Sequence, residues 1–233
     1  MDAQDWSRVD ETIRELSLLK HPFYQNWTKG ALSLTDLRCY AAQYYHLESC
    51  FPRFLSRVHS NCETLAVRQQ ILENITDEEK GPENHPELWL RFAEGLGLDR
   101  PEVLEAPCLP QTKKCMESLT ELAGQPHWPL GLSALYAYES QIPEIARVKI
   151  EGLKQFYGVQ DERALRFFTV HQEMDQWHSK VEKDLILSAE ADLSEVCDAA
   201  QKACRALWEF LDGVYLCHHD PVEVGLHRVP GPL

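Results

Sequence analysis

The sequence predicts an all-α fold, a single domain of seven or eight helices. Three observations carry this. Apolar residues recur at helical spacing along almost the whole chain. The segments they define are bounded by Ser, Thr and Asp at their starts and by Gly or Pro at their ends. No stretch of alternating apolar and polar residues reads as a strand.

The elements follow in order. Residues 5–19 carry Val9, Ile13, Leu16 and Leu19 on one helical face. Ser33, with Asp36 three residues later, is a weaker relative of the capping box. It opens a long segment through Leu37, Tyr40, Ala41, Tyr44, Tyr45, Phe51 and Leu55 to residue 60, in which Pro52 predicts a kink rather than a stop. Thr64 can cap a helix over 65–79, which ends at Lys80-Gly81-Pro82. A further helix spans 85–94, with Gly95 and Gly97 as stop signals. Residues 99–111 hold Pro101, Pro107 and Pro110 and read as short turns or a broken helix. The segment 112–123 is helical and ends at Gly124-Gln125-Pro126. Pro129 suits the first turn of a long helix reaching Phe156, again with an internal proline, Pro143, and Gly158 fits its left-handed terminus. Asp161 caps a helix to Ser188, and Ser194 starts the last one, through Leu216. Residues 218–233 have no period and read as a flexible tail, leaving 1–217 as the domain; neither an internal repeat nor a linker is evident.

Composition narrows the function classes. A chain of 233 residues with 44% hydrophobic content buries enough surface to need no disulfide or zinc staple. The net charge is −14, and Lys and Arg are nowhere clustered, which disfavours nucleic acid and anionic lipid as partners. No apolar run approaches the length of a membrane span, and the amino end lacks the basic and apolar regions of a signal peptide, so a cytoplasmic protein is expected. The eight cysteines form no Cys-x-x-Cys pair and read as reduced thiols; Cys197 and Cys204, seven apart on one helix, are either buried small hydrophobes or a structural pair.

The chemistry concentrates in three places. His171, Asp175 and His178 fall within roughly 60° of one another around a helix. They share the stripe of Ala164, Phe168, Val181 and Leu185 that should face the core. Buried polar groups without partners are costly, and two imidazoles with a carboxylate suit iron or manganese better than soft-ligand metals; a hydrogen-bonded helix face is the competing reading. Glu139 is the single carboxylate of a helix that is apolar on nearly every side, so it is either buried, and then protonated, paired or metal-bound, or turned to the surface beside Ser140 and Gln141. Asp77-Glu78-Glu79 and His85 flank the Gly81-Pro82 turn, from which Glu78 and His85 can point into one cavity, although acidic groups at a helix end are commonly solvated. Together these segments hold the inventory of a carboxylate-bridged dinuclear site in a helical bundle, without the paired Glu-x-x-His spacing of ferritin-like proteins. His46 and Glu48, beside Tyr40, Tyr44 and Tyr45, are expected to belong to aromatic packing, and His218 and His219 to the tail. No nucleotide-binding glycine loop and no Gly-x-Ser-x-Gly nucleophile is present.

An ordered series of motifs then points to a family: Phe23-Tyr24-Gln-Asn-Trp27-Thr-Lys29-Gly30, Tyr44-Tyr45, Phe51-Pro52, Asp77-Glu78-Glu79, Asn84-His85-Pro-Glu-Leu-Trp89 and Leu135-Tyr-Ala-Tyr138-Glu139-Ser-Gln-Ile-Pro143. Over roughly residues 10–215 the chain resembles the family of the Chlamydia protein associating with death domains and its bacterial relatives. The resemblance implies a haem-oxygenase-like helical fold, shared with pyrroloquinoline quinone synthase and thiaminase II. It also implies a dimetal oxidase/oxygenase that makes 4-aminobenzoate for folate without the usual chorismate-derived enzymes. Carried over position by position, it makes Glu78, His85, Glu139, His171, Asp175 and His178 the ligands of two metal ions, Fe/Fe or Mn/Fe, with O2 as co-substrate and an external reductant. It further implies that a tyrosine of the enzyme, Tyr24, supplies the benzoate ring and that Lys149 supplies nitrogen, with Tyr138 a further tyrosine near the metals. Phe167 departs from the chlamydial member's tyrosine, so a radical relay through that hydroxyl is not available here.

Spacing alone favours a solvated Lys149 and a core aromatic at Tyr24. A homodimer is expected, with no nucleic-acid or membrane partner. Two readings compete with the dimetal enzyme: a cofactorless or thiamine-related enzyme on the same fold, which needs no six converging ligands, and a partner-binding module that engages death domains.

Overall fold

The computed structural model describes residues 3–217, which form helices and no strand. The expected tail, 218–233 with His218 and His219, lies outside the described residues. The helices are α1 (Ala3–Glu15), α2 (Pro22–Trp27), α3 (Leu34–Glu48), α4 (Phe51–Asn61), α5 (Leu65–Glu79), α6 (His85–Gly95), α7 (Arg100–Leu104), α8 (Pro110–Ala123), α9 (Trp128–Glu139), α10 (Ile142–Phe156), α11 (Glu162–Ser188) and α12 (Leu193–Leu216), with a 3-10 turn at Leu18–Lys20. All eight expected segments are present. Two of them are divided at their prolines, and the short α2 and α7 are added.

The proline breaks are bends, not reversals. Pro52 and Pro143 stand at the second positions of α4 and α10, where the missing N–H would otherwise have bonded the carbonyl of Glu48 or Glu139. Ser49 and Cys50, like Ser140 and Gln141, keep right-handed helical dihedrals, so the chain runs on at an angle. At the start of α3 the Ser33–Asp36 capping box is complete in both directions. The last helix starts at Leu193, one residue before the expected Ser194, and is capped by Asp192, whose carboxylate accepts from the N–H groups of Ser194 and Glu195.

Ten of the twelve residues of α9 are buried, which makes it the central rod of the bundle and carries Glu139 at its end into the interior. Helix α12 lies along α9, α8 and α1, while α11 packs on α10, α6 and α9. The α5–α6 connection is set by Gly81, whose φ of +88° suits glycine, and by Asn84. The Asn84 side chain accepts from the Glu87 N–H at 3.0 Å and donates to the Gly81 carbonyl at 2.8 Å, so His85 enters α6 in a fixed direction. Outside, an ion-pair network of Arg91, Arg100, Arg163 and Arg166 with Glu83, Glu87 and Glu94 ties α6 to α7 and α11. All eight cysteines are free; Cys204 is buried and Cys197 half-buried, with no bond between them.

Candidate metal centre

The α11 stripe does face the interior. His171, Asp175 and His178 are buried along it, and Glu182 continues it one turn further. Glu78 and His85 converge from either side of the α5–α6 turn, with Glu78 Oε2 2.7 Å from His85 Nδ1. These two atoms are close without hydrogen-bond geometry, and both are buried and otherwise unpartnered. Glu139 is buried, which removes the surface-facing alternative; its carboxylate accepts from Asn74 Nδ2 at 3.1 Å.

The ligand atoms form two groups. One atom each from Glu139, Asp175 and His178 lie within 4.8 Å of one another, and so do one atom each from Glu48, His85 and His171. The spans of both groups suit donors sharing a single ion. Two of the imidazoles are oriented from behind. His171 Nδ1 faces the Phe167 carbonyl at 2.8 Å, and His178 Nε2 faces Asp77 Oδ2 at 3.1 Å. With those nitrogens donating, Nε2 of His171 and Nδ1 of His178 keep their lone pairs for a metal, the arrangement that fixes ring orientation and raises ligand basicity.

Electrostatics agree with an acid cluster built for cations. Burial pushes Glu139 and Glu48 each up to about 8, and it raises Glu78, Asp175 and Glu182 as well; neighbouring carboxylates add to every one of these shifts except that of Asp175, which His178 and His85 partly offset. Burial also holds His171 well below the ordinary imidazole range. His178 runs the other way. Burial lowers it, but the Asp175, Glu139 and Asp77 carboxylates outweigh this and lift it to about 9.

Beside these candidate ligands lies an aromatic chamber. Lys149 is 3% exposed, so the solvated lysine favoured by spacing is corrected: α10 turns this position inward among Tyr24, Tyr40, Tyr44, Trp89 and Phe168. Its Nζ donates to the Tyr40 hydroxyl at 2.5 Å and stands 5.7 Å from the Tyr24 ring centroid. Burial lowers the amine to about 7. Tyr24 is buried too, and its hydroxyl pairs with that of Tyr40, while the Tyr44 and Tyr138 hydroxyls pair with each other. Phe167 packs on the His171 ring with centroids 3.9 Å apart, so the position without a hydroxyl adjoins the ligands. The close approach of α2 to α10 requires Gly152, because a Cβ there would meet Trp27 Nε1 at 2.5 Å.

Residues 38–210 match the family described as iron-containing redox enzymes. The chain belongs to this family. Among relatives of this iron-containing redox enzyme, a protein of Nitrosomonas europaea named 4-aminobenzoate synthase is 40% identical over 220 residues and covers 89% of each chain. A 4-aminobenzoate synthase of Chlamydia pneumoniae is 38% identical over 87% of this chain and 91% of its own. A TenA homologue from Pseudomonas syringae shares the fold, with a TM-score of 0.76 at 14% identity over 91% of each chain. The protein is therefore an oxygenase-type enzyme with the haem-oxygenase-like helical fold.

The donor set fits the family's metal. Carboxylate oxygens and imidazole nitrogens, several of them buried without a partner, suit iron and manganese and offer nothing to soft-ligand metals. Sequence reasoning missed three buried residues at or beside the candidate centre: Glu48 within a ligand group, and Asn74 and Glu182 next to the other. Glu48, assigned to aromatic packing, instead joins His85 and His171; His46 alone of that pair keeps a packing role, with its Nε2 3.0 Å from the Ala106 carbonyl. Asn74 was hidden because an asparagine one turn before an acidic run carries no signal. Glu182 was legible in principle, since it stands four residues after His178 on the same stripe.

Proposed function

We propose that this enzyme is a 4-aminobenzoate synthase with two transition-metal ions, Fe/Fe or Mn/Fe, held by Glu78, His85, Glu139, His171, Asp175 and His178. The observation that carries the reading is the pair of buried ligand groups, one around His85 and His171 and one around Asp175 and His178. When bound, such ions activate O2 with electrons from an external reductant. The chain's own residues do the rest. Asp77 and the Phe167 carbonyl orient imidazoles, and Asn74 orients the Glu139 carboxylate.

The chamber supports an internal substrate. To become 4-aminobenzoate, a tyrosine side chain must be cleaved at Cα–Cβ, have Cβ oxidised to the carboxylate with O2 as oxidant, and exchange the phenolic oxygen for a nitrogen released by scission of a lysine Cε–Nζ bond. Tyr24 would supply the ring and Lys149 the nitrogen. At neutral pH a large share of the buried amine is uncharged, so its lone pair can act as a nucleophile, and it needs no travel from solvent. The aromatic walls exclude water, and the Tyr40 hydroxyl holds both the amine and the Tyr24 phenol. Tyr138, one residue before Glu139, links the metal ligands to this chamber through Tyr44. A soluble homodimer in the cytoplasm completes the proposal; among the described residues no helix is long and apolar enough to cross a membrane.

The test is metal quantitation on protein grown with iron, followed by anaerobic reduction and exposure to O2. Two ions per chain, O2-dependent 4-aminobenzoate and a mass deficit at Tyr24 are expected. Full product formation by metal-free protein would remove the metal, and an intact Tyr24 after turnover would remove the internal substrate.

A further inference from the structure

We infer that Glu48 is a seventh protein ligand, bound to the same ion as His85 and His171. This rests on the dinuclear reading above and adds to it a residue from a fifth segment of the fold.

The first support is position. Glu48 ends α3, is 4% exposed, and its Oε1 has no hydrogen-bond partner. The nearby amine of Lys149 donates to Tyr40 rather than to Glu48. A buried carboxylate must be protonated, paired or metal-bound, and here one of its oxygens already lies within 4.8 Å of ligand nitrogens of both His85 and His171. Two imidazoles and one carboxylate on a single ion form a set that iron(II) and manganese(II) accept readily.

The second support is an internal likeness. Tyr45-His-Leu-Glu48-Ser49-Cys-Phe-Pro52 and Tyr136-Ala-Tyr-Glu139-Ser140-Gln-Ile-Pro143 share the pattern Tyr-x-x-Glu-Ser-x-x-Pro. A search for periodic repeats does not find it, because it is one short motif used twice. The two copies also fold alike. Ser49 has φ −66° and ψ −15° against −61° and −18° for Ser140, and Cys50 has −92° and −18° against −92° and −21° for Gln141. In each copy the serine N–H bonds the tyrosine carbonyl at 2.9 Å, and the next N–H bonds the residue before the glutamate at 3.1 Å. Each glutamate thus ends a helix one proline bend before the next, and each belongs to one ligand group, Glu139 with Asp175 and His178, Glu48 with His85 and His171.

The third support is charge. Glu78, Glu139 and Asp175 offer three negative charges to two divalent ions, which leaves one positive charge buried in an apolar interior. A fourth carboxylate, Glu48, brings the charge of the ligand set level with that of two divalent ions, which lowers the cost of holding them in an apolar interior.

The test uses the full chain and Mn(II) or anaerobic Fe(II) as the probe. Metal-free wild type, Glu48→Gln and His171→Ala are titrated, and bound Mn(II) is examined by electron paramagnetic resonance. Wild type should bind two ions with the signature of a coupled pair. Glu48→Gln, nearly equal in volume, should keep one ion and bind the second at least tenfold more weakly, giving the spectrum of an isolated ion. If His171→Ala loses an ion while Glu48→Gln binds two with wild-type affinity and coupling, the Glu48 assignment is overturned and the dinuclear reading stands. If both variants bind two ions as wild type does, the dinuclear assignment itself fails. Should Glu48→Gln not fold, the crystal structure of the Mn(II)-loaded wild type decides: a Glu48 oxygen at about 2.2 Å from the ion supports the assignment, and one beyond about 3 Å overturns it.

Discussion

Lys149 and Tyr40 meet across 2.5 Å inside the bundle, amine to hydroxyl, with both side chains buried. The contact places a basic group where charge is penalised. In the unfolded chain Lys149 is protonated up to about pH 10.5, whereas the folded protein holds it neutral down to about 7. Between those values the unfolded state binds the extra proton, so this group makes the fold less stable as pH falls from 10.5 to 7. Lys149→Met should therefore stabilise the protein at pH 7, by up to about 4 kcal/mol. Thermal melts of both proteins should show the advantage shrinking as pH is raised towards 10. An advantage unchanged over that range would mean that the amine is not the cause.

The acid cluster gives the opposite dependence. Glu48 and Glu139 have folded-state values near 8 against 4.5 in the unfolded chain, so metal-free protein keeps their stabilisation below about pH 4.5 and loses it as pH rises through 8. Chelated protein should melt at a markedly lower temperature at pH 8.5 than at pH 6, and Fe(II) or Mn(II) should abolish most of the difference. Metal uptake must release protons, which calorimetric titration in two buffers of different ionisation enthalpy will count. No proton release would show that the carboxylates are ionised before the metal arrives.

Asp77 is half in solvent, yet its carboxylate accepts from the far nitrogen of His178. Asp77→Asn should lower metal affinity about 10- to 100-fold with little loss of fold stability, because the partner that orients the imidazole is weakened while no core packing is removed. Equilibrium competition with a chelator reads the affinity. An unchanged affinity would reduce the His178–Asp77 contact to a surface ion pair.

Gly152 separates the roles of chamber and metal. A side chain at this position collides with Trp27 and must push α2, and Tyr24 with it, away from Lys149. Gly152→Val should cost about 1–3 kcal/mol of stability and strongly reduce 4-aminobenzoate while leaving two ions bound. Loss of metal in step with product would place Tyr24 outside the chemistry that the chamber is proposed to serve.

Much of this was legible in the amino-acid sequence, and the rest was hidden for physical reasons. The helices announced themselves through Ser33 with Asp36, Gly158 and the two prolines, all of which act within one or two turns. His171, Asp175 and His178 were legible because a single helix sets their relative directions. Glu139 stood out as a charge in an apolar rod. Glu48 did not, because it ends a helix whose tyrosines suggest packing, and only the approach of α3 to α6 brings it to His85. Lys149 looked solvated because α10 also carries exposed charged residues such as Arg147 and Glu151, so its own direction depends on how α2 and α3 close over it.

The proposed ligands are scattered along the polypeptide from Glu48 to His178: a tight turn joins Glu78 to His85, helices separate Glu48, Glu78 and Glu139 from one another, and His171, Asp175 and His178 share α11. A chain emerging from the ribosome offers Glu78 and His85 early but cannot present Asp175 and His178 until nearly everything else has been synthesised. On the proposed ligand set, the dispersal implies an order: the bundle closes first with its buried acids protonated, and both cations enter afterwards as those protons depart.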